Sequence, residues 1–160
     1  MGDYSGNHLI LLAKNMTGYK NLIKIVSKAY TEGSYGRPRT DRVELEKYHE
    51  GLICCSACIG GEIPRYFHEN KVEEARQAAK LFKGIFGADF YLELLLHKAT
   101  VEFANHETYK IQERVNEKLI EFSDELGIKL VCTNDVHFVD EEHAEAHDRL
   151  ICLGTGKDLD

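Results

Sequence analysis

The alternation of short apolar runs with amphipathic stretches constrains the fold of this chain more than any other feature. Apolar runs of strand length are separated by stretches whose apolar residues recur at helical spacing. The predicted strands are residues 8–13, 51–56, 89–95 and 128–133, and the predicted helices are residues 18–31, 41–48, 62–68, 72–86, 106–126 and 141–153, with Thr17 capping the first helix and Gly33 ending it. This alternation indicates an α/β fold with about four mostly parallel strands. Since four strands are too few to close a (β/α) barrel, we expect a small open sheet or part of a larger barrel.

The composition fits one compact domain with a real core. The chain has 160 residues, of which 43% are apolar and 29% charged, and its net charge is −7. An acidic chain is not a strong non-specific binder of nucleic acid. Any DNA contact must therefore be local or be made by other parts of a larger protein. The polar start, Met1–Gly6, resembles a cut edge, and neither a signal peptide nor a membrane-spanning apolar run is present, so no membrane contact is expected. Five cysteines, several in apolar runs, indicate reduced thiols in a cytoplasm.

Two polar side chains follow the fourth predicted strand. Asp135 and His137 are two positions apart, and because strand side chains alternate faces they would project together from its carboxyl end. In α/β folds this end of the strands carries the chemistry, and Asp oxygen and His nitrogen are ligands for zinc or manganese. Asn-Asp is also common in turns, so the alternative is that Asp135 caps the next element.

Cys58 and His8 are further candidates at strand ends. Cys58 follows the second strand beside Gly60 and Gly61, which let the backbone come close to a ligand. It forms a C-x-x-C pair with Cys55, but no second pair accompanies it, which argues against a zinc held by four cysteines. His8 begins the first strand, where a packing role and a functional role are both open.

Three other features have competing explanations. Glu93 is a lone acid in an apolar strand, and because an unpaired buried carboxylate is costly, it is either functional or part of a structural ion pair. His143 and His147 share one helix face without forming a zincin motif, which favours a surface or packing role. A basic loop is either a phosphate contact or a solvated segment, and its residues are Arg37, Arg39 and Arg42.

Taken together, several stretches resemble one known family. They are residues 8–15 (HLILLAKN), 17–22 (TGYKNL), 37–41 (RPRTD), 51–63 (GLICCSACIGGEI), 133–138 (TNDVHF) and 154–157 (GTGK). Their order is similar to that in the PHP (polymerase and histidinol phosphatase) domain of the bacterial DNA polymerase III alpha subunit. The resemblance covers essentially the whole chain.

The resemblance implies a distorted seven-stranded (β/α) barrel with a metal cluster at the carboxyl ends of its strands. The family's ligand motifs map onto His8, Cys58, Asp135 and His137, with Glu93 as an additional candidate. The implied metal is zinc or manganese, and the thiol favours zinc.

Three family features are missing from the chain. The family begins with an H-x-H motif on its first strand, followed by an Asp-His motif and a Glu, none of which matches this chain, and no H-x-H occurs in the 160 residues. Residues 1–160 are therefore interpreted as the central and C-terminal part of a PHP domain that lacks its N-terminal strands, and as an internal fragment of a larger polypeptide. The unpaired strand edges of such a partial barrel would favour dimerisation or swapping.

The resemblance also implies a function for the parent protein, a DNA-directed DNA polymerase that uses magnesium and whose polymerase catalytic residues lie outside this chain. Its PHP region either removes 3′ nucleotides through its metals or is a non-catalytic scaffold that docks the proofreading exonuclease subunit. A stand-alone metal phosphoesterase is a third interpretation, against which residues 17–22 and 154–157 argue. The implied partners are DNA, deoxynucleotides, the proofreading exonuclease subunit and the sliding clamp, in the cytoplasm. The isolated chain is expected to lack polymerase activity and to have at best weak nuclease activity.

Overall fold

The computed structural model describes residues 6–34, 36–98 and 107–158. In chain order the elements are β1 (Ile10–Ala13), α1 (Met16–Thr31), α2 (Arg42–Tyr48), β2 (Leu52–Cys55), α3 (Glu62–His68), α4 (Val72–Phe86), β3 (Phe90–Leu94), α5 (Glu107–Leu126), β4 (Lys129–Cys132) and α6 (Ala144–Thr155). Single turns of 3-10 helix precede β3 and α6, at Gly87–Asp89 and Glu141–His143. The predicted α/β alternation is confirmed, and the predicted start of α5 at residue 106 lies outside the described residues. No helix in these ranges is both long and apolar enough to cross a membrane.

The strands form one mixed sheet in the order β1-β2-β3-β4. β2 and β3 are parallel, as are β3 and β4. β1 runs antiparallel to β2, with Ile10 opposite Cys55 and Ala13 opposite Leu52, which differs from the parallel direction that strand–helix alternation favours. Two of the three pairings are therefore parallel, and closure into a seven-stranded barrel stays a prediction.

The hydrophobic core forms where α3, α4 and α5 pack together and where α4 and α5 pack on the sheet. Leu52 and Cys54 of β2 and Phe90 and Leu92 of β3 enter this core at every second position, as strand geometry requires. The ring of Phe82 stacks on that of Phe90, with centroids 5.6 Å apart. The hydrophobic core therefore fixes the positions of β2 and β3 and of the residues at their carboxyl ends.

α1 begins earlier than its sequence pattern indicates. The helix starts at Met16, and the side chain of Asn15 accepts a hydrogen bond from the backbone N–H of Gly18 at 2.9 Å. The prediction that Thr17 caps this helix is wrong: Thr17 lies in the first turn, and Asn caps at least as well as Thr. The helix ends at Thr31, shortly before Gly33.

Most other helix boundaries follow their sequence signals closely, but α6 starts at Ala144 rather than at the predicted residue 141, because a turn of 3-10 helix occupies Glu141–His143. Asp41 caps α2 and accepts from the backbone N–H of Glu44 at 2.9 Å, as its position predicts. α3 and α4 have the predicted bounds. Each strand is two residues shorter than its predicted range, because the sequence pattern records burial whereas the strand ends where backbone pairing ends.

Candidate metal centre

His8 lies beside the turn that follows β2. Its backbone N–H donates to the carbonyl of Gly60 at 2.9 Å, and it forms an isolated parallel bridge with Gly61. The regular strand begins only at Ile10, so the prediction that His8 is part of β1 is wrong. Because β1 is antiparallel to β2, the amino end of β1 meets the carboxyl end of β2, and His8 reaches the rim where Cys58 lies.

The Cys58 thiol faces the His8 imidazole, with 3.5 Å between Sγ and Nδ1. The two glycines that follow make this approach sterically feasible. A Cβ on Gly60 would lie 3.1 Å from His8 Nδ1, and one on Gly61 would lie 2.0 Å from the carbonyl oxygen of Ser56. The absence of side chains at Gly60 and Gly61 therefore allows a tight turn and the close approach of the His8 imidazole to the Cys58 thiol.

Asp135 influences the same thiol from the loop after β4, which ends at Cys132. Burial raises the pKa of Cys58, and the negative charge of Asp135 raises it further. Asp135 itself has a φ of 45°, in the left-handed region that residues other than glycine rarely adopt. Asp adopts this region more readily than most other residues do, which agrees with the turn role that its Asn-Asp sequence also predicts.

His137 is oriented by the backbone of its own loop. Its Nδ1 lies 2.6 Å from the carbonyl oxygen of Asp135, a distance at which a protonated Nδ1 donates a hydrogen bond and leaves Nε2 for a ligand. Its ring contacts that of His147, with centroids 5.7 Å apart. His147 also packs on Phe138, which agrees with the packing role expected for it.

The four predicted ligands are brought together only in part. His8 and Cys58 are in contact and Asp135 acts on Cys58, but within the described ranges no three of the four have ligand atoms all within 4.8 Å of one another. Imidazole, thiol and carboxylate are donor types that zinc accepts. The donor types therefore fit zinc, and the structure does not gather the four ligand atoms around one point.

A different group satisfies that distance criterion at the start of the segment leading into α6. It consists of Asp140, Glu142 and His143, all exposed. Asp140 and His143 form a reciprocal cap, in which the Asp140 N–H donates to His143 Nδ1 at 3.3 Å. Capping therefore accounts for the proximity of Asp140 and His143, and Glu142 lies between them in the chain.

Glu93 is 2% exposed in β3, and its described hydrogen-bond partners are neutral. Its Oε2 accepts from the backbone N–H of Ala57 at 3.1 Å, and its Oε1 accepts from the hydroxyl of Thr133. Its own N–H donates to Ser56 Oγ at 2.9 Å. Sequence reasoning missed Ser56 and Thr133; the available signal was a hydroxyl residue just after each neighbouring strand.

The basic loop is divided between two cavities. Arg39 lines a cavity of about 370 Å³ between α1 and α2. A separate cavity of about 320 Å³ adjoins His8 and is lined by Arg42 and Glu62, which form an ion pair. Arg42 thus shares a cavity with His8, while the phosphate contact expected of Arg37 and Arg39 stays a prediction.

Comparisons with known proteins agree on one kind of relative. The PHP domain family matches residues 2–97. The DNA polymerase III subunit alpha of Borreliella burgdorferi is 52% identical over 149 residues, which are 93% of this chain and 12% of that protein. The subunits of the same name from Treponema pallidum and Thermus aquaticus are 42% and 39% identical over 94% and 96% of this chain, again 12% of each relative. The chain thus spans about an eighth of the length of the curated relatives it matches.

Proposed function

The chain belongs to the PHP domain family, as its motifs predict, and from that premise we propose that it is the metal-binding region of a replicative DNA polymerase alpha subunit. In the complete subunit, another domain adds deoxynucleotides to a primer with magnesium, and the PHP region removes nucleotides from a 3′ end with zinc or manganese. The observation that carries the proposal is the contact of His8 Nδ1 with Cys58 Sγ at 3.5 Å, beside the charge of Asp135.

In this proposal four residues of the chain bind the metal. His8, Cys58, Asp135 and His137 would hold the metal, which supplies Lewis-acid chemistry for phosphodiester hydrolysis when bound. The carbonyl of Asp135 contacts Nδ1 of His137, which leaves Nε2 as the nitrogen for a ligand. The ligands contributed by the family's H-x-H motif would complete the site.

A non-catalytic scaffold is the second candidate, and one observation favours it. Apolar side chains recur along the solvent side of α1, at spacings of three and four residues; they are Met16, Tyr19, Ile23, Val26 and Tyr30. Exposed apolar stripes of this kind mark contact surfaces. On this alternative the region docks the proofreading exonuclease subunit and stabilises the polymerase. With either function, the parent acts in the cytoplasm with DNA, deoxynucleotides and the sliding clamp.

Metal content separates the two candidates. Zinc and manganese are measured by mass spectrometry after extensive dialysis, for this chain and for a full-length alpha subunit that contains it. We expect stoichiometric metal in the full-length protein and less in the chain alone. Cys58→Ser should remove it, whereas Cys152→Ser, which changes another partly buried thiol outside the site, should not.

Activity assays complete the test. The metal-loaded full-length protein should shorten a 5′-labelled single strand, and Asp135→Ala with His137→Ala should abolish this shortening. If the full-length protein holds no metal, the catalytic proposal fails and the scaffold is retained. Primer extension by the 160-residue chain alone would contradict the assignment of polymerisation to residues outside it.

A further inference from the structure

Glu93 lies on the strand between the two that lead to Cys58 and Asp135. Its strand, β3, pairs with β2 on one side and with β4 on the other. The side chain is 2% exposed. Burying a carboxylate costs free energy unless its oxygens accept hydrogen bonds. The hydrogen-bond partners of Glu93 therefore show which segments its side chain connects.

Each carboxylate oxygen reaches a different neighbour. Oε2 accepts from the N–H of Ala57, the residue directly before Cys58. Oε1 accepts from the hydroxyl of Thr133, two residues before Asp135. One side chain therefore bonds to both segments that carry the candidate ligands.

Both of these segments contain a residue in a conformation that needs support. Ala57 has a φ of 63° and Asp135 a φ of 45°. Residues other than glycine pay a free-energy cost in this left-handed region and stay there only when surrounding contacts hold them. Glu93 supplies such contacts, because it accepts hydrogen bonds from the N–H of Ala57 itself and from the hydroxyl of Thr133, two residues before Asp135.

We propose that Glu93 is a positioning residue that clamps the Ala57–Cys58 and Thr133–Asp135 segments together beside the candidate metal centre. The metal part rests on the proposed function, whereas the clamp itself is a property of the protein without metal. A direct ligand role is disfavoured because both oxygens already accept hydrogen bonds in a side chain that is 2% exposed.

Two substitutions separate a clamp from a ligand. Glu93→Gln retains both hydrogen bonds, because the amide oxygen accepts from Ala57 and the amide nitrogen donates to the rotatable hydroxyl of Thr133. It removes the negative charge that a ligand would use. Glu93→Leu keeps a similar volume and removes both hydrogen bonds. Thr133→Val removes only the contact with Oε1, and it tests the clamp from the other side if Glu93→Leu does not fold.

The zinc dissociation constant is measured by competition with a chromophoric chelator, in the full-length subunit carrying each variant. Because partners of ligand-bearing groups typically contribute about 10- to 100-fold in metal affinity, we expect a loss of that size for Glu93→Leu and a smaller loss for Thr133→Val. Glu93→Gln should stay within about threefold of wild type, and Cys58→Ser gives the effect of losing a ligand. Backbone hydrogen exchange at Ala57, measured without metal, should accelerate in Glu93→Leu and not in Glu93→Gln.

The outcomes have distinct meanings. If Glu93→Gln loses zinc as completely as Cys58→Ser, Glu93 is a ligand and the clamp is wrong. If Glu93→Leu and Thr133→Val retain wild-type affinity and wild-type exchange at Ala57, the clamp is also wrong. If wild type binds no zinc, the proposed catalytic function fails, while the exchange measurements still decide whether Glu93 holds the two segments.

Discussion

Gly18 lies where α1 touches the loop that leads into β2, and replacing it with alanine tests the closest approach between these segments. A Cβ on Gly18 would lie 1.8 Å from the carbonyl oxygen of Gly51. That oxygen cannot simply move away, because it accepts a hydrogen bond from the N–H of Lys14 at 2.8 Å. The N–H of Gly18 is itself held by the Asn15 cap at 2.9 Å.

The expected loss in the free energy of unfolding follows from these contacts. Ordinary contact begins at 3.4 Å, so about 1.6 Å of separation must come from movement of α1 or of the loop. Overpacking of this kind costs roughly 1–3 kcal/mol, and weakening the Asn15 cap costs about 1 kcal/mol more. Alanine's better helix propensity offsets about 1 kcal/mol. We therefore expect Gly18→Ala to lower the free energy of unfolding by about 1–3 kcal/mol, or the Tm by roughly 2–12 °C.

Gly84 provides the matched control, since it is exposed within α4 and a Cβ there would meet nothing within 4 Å. Gly84→Ala should raise the free energy of unfolding by about 0.5–1 kcal/mol. Both are measured by urea unfolding followed by far-ultraviolet circular dichroism. A Gly18→Ala protein as stable as wild type, alongside a stabilised Gly84→Ala protein, would show that α1 and the loop are not in close contact.

Three further changes test the core, a thiol and a helix cap. Leu92→Ala empties a fully buried site and should cost about 2–5 kcal/mol in urea unfolding. Burial raises the pKa of Cys55 to about 11. The rate of Cys55 alkylation, measured by mass spectrometry, should therefore rise about tenfold per pH unit between pH 7 and 9. It should stay far below the alkylation rate of Cys132, which is exposed. Asp41→Ala should cost about 1 kcal/mol because the N–H of Glu44 loses its acceptor, and Asp41→Asn should restore most of that loss.

Each of these predictions has a result that contradicts it. A loss well under about 1 kcal/mol for Leu92→Ala would mean that β3 is not packed at that position. Alkylation of Cys55 as fast as that of Cys132 at pH 7 would contradict its burial. If Asp41→Asn is as unstable as Asp41→Ala, the charge of Asp41 matters rather than its capping hydrogen bond.

Local signals predicted where most helices begin and end, but they did not predict the start of α1. α4 ends at Phe86, just before Gly87, whose φ of 58° stops a helix without steric cost. Asn15 and Thr17 are both good caps, and nothing local distinguishes them. Starting the helix at Met16 places a glycine opposite Gly51, which is a tertiary requirement that periodicity does not contain.

Glu93 shows why part of the candidate site could not be predicted. Its sequence position offered two explanations, a functional acid or a buried ion pair. The structure satisfies the carboxylate with a backbone N–H of Ala57 and the hydroxyl of Thr133. Every residue except proline has a backbone N–H, so this partner leaves no trace in the sequence. Only the pairing of β3 with both neighbours identifies which one it is.

The direction of β1 decides whether His8 belongs to the candidate centre at all. Hydrophobic periodicity identifies a strand but not its direction, and two helices between β1 and β2 favour a parallel crossover. In a parallel arrangement His8 would lie at the opposite end of the sheet, roughly 15–20 Å from the turn after β2, given about 3.3 Å per residue. The antiparallel register instead pairs Ile10 with Cys55 and brings His8 to within 3.5 Å of Cys58. Metal binding that depends on both His8 and Cys58 would therefore test this strand direction as well as the ligands.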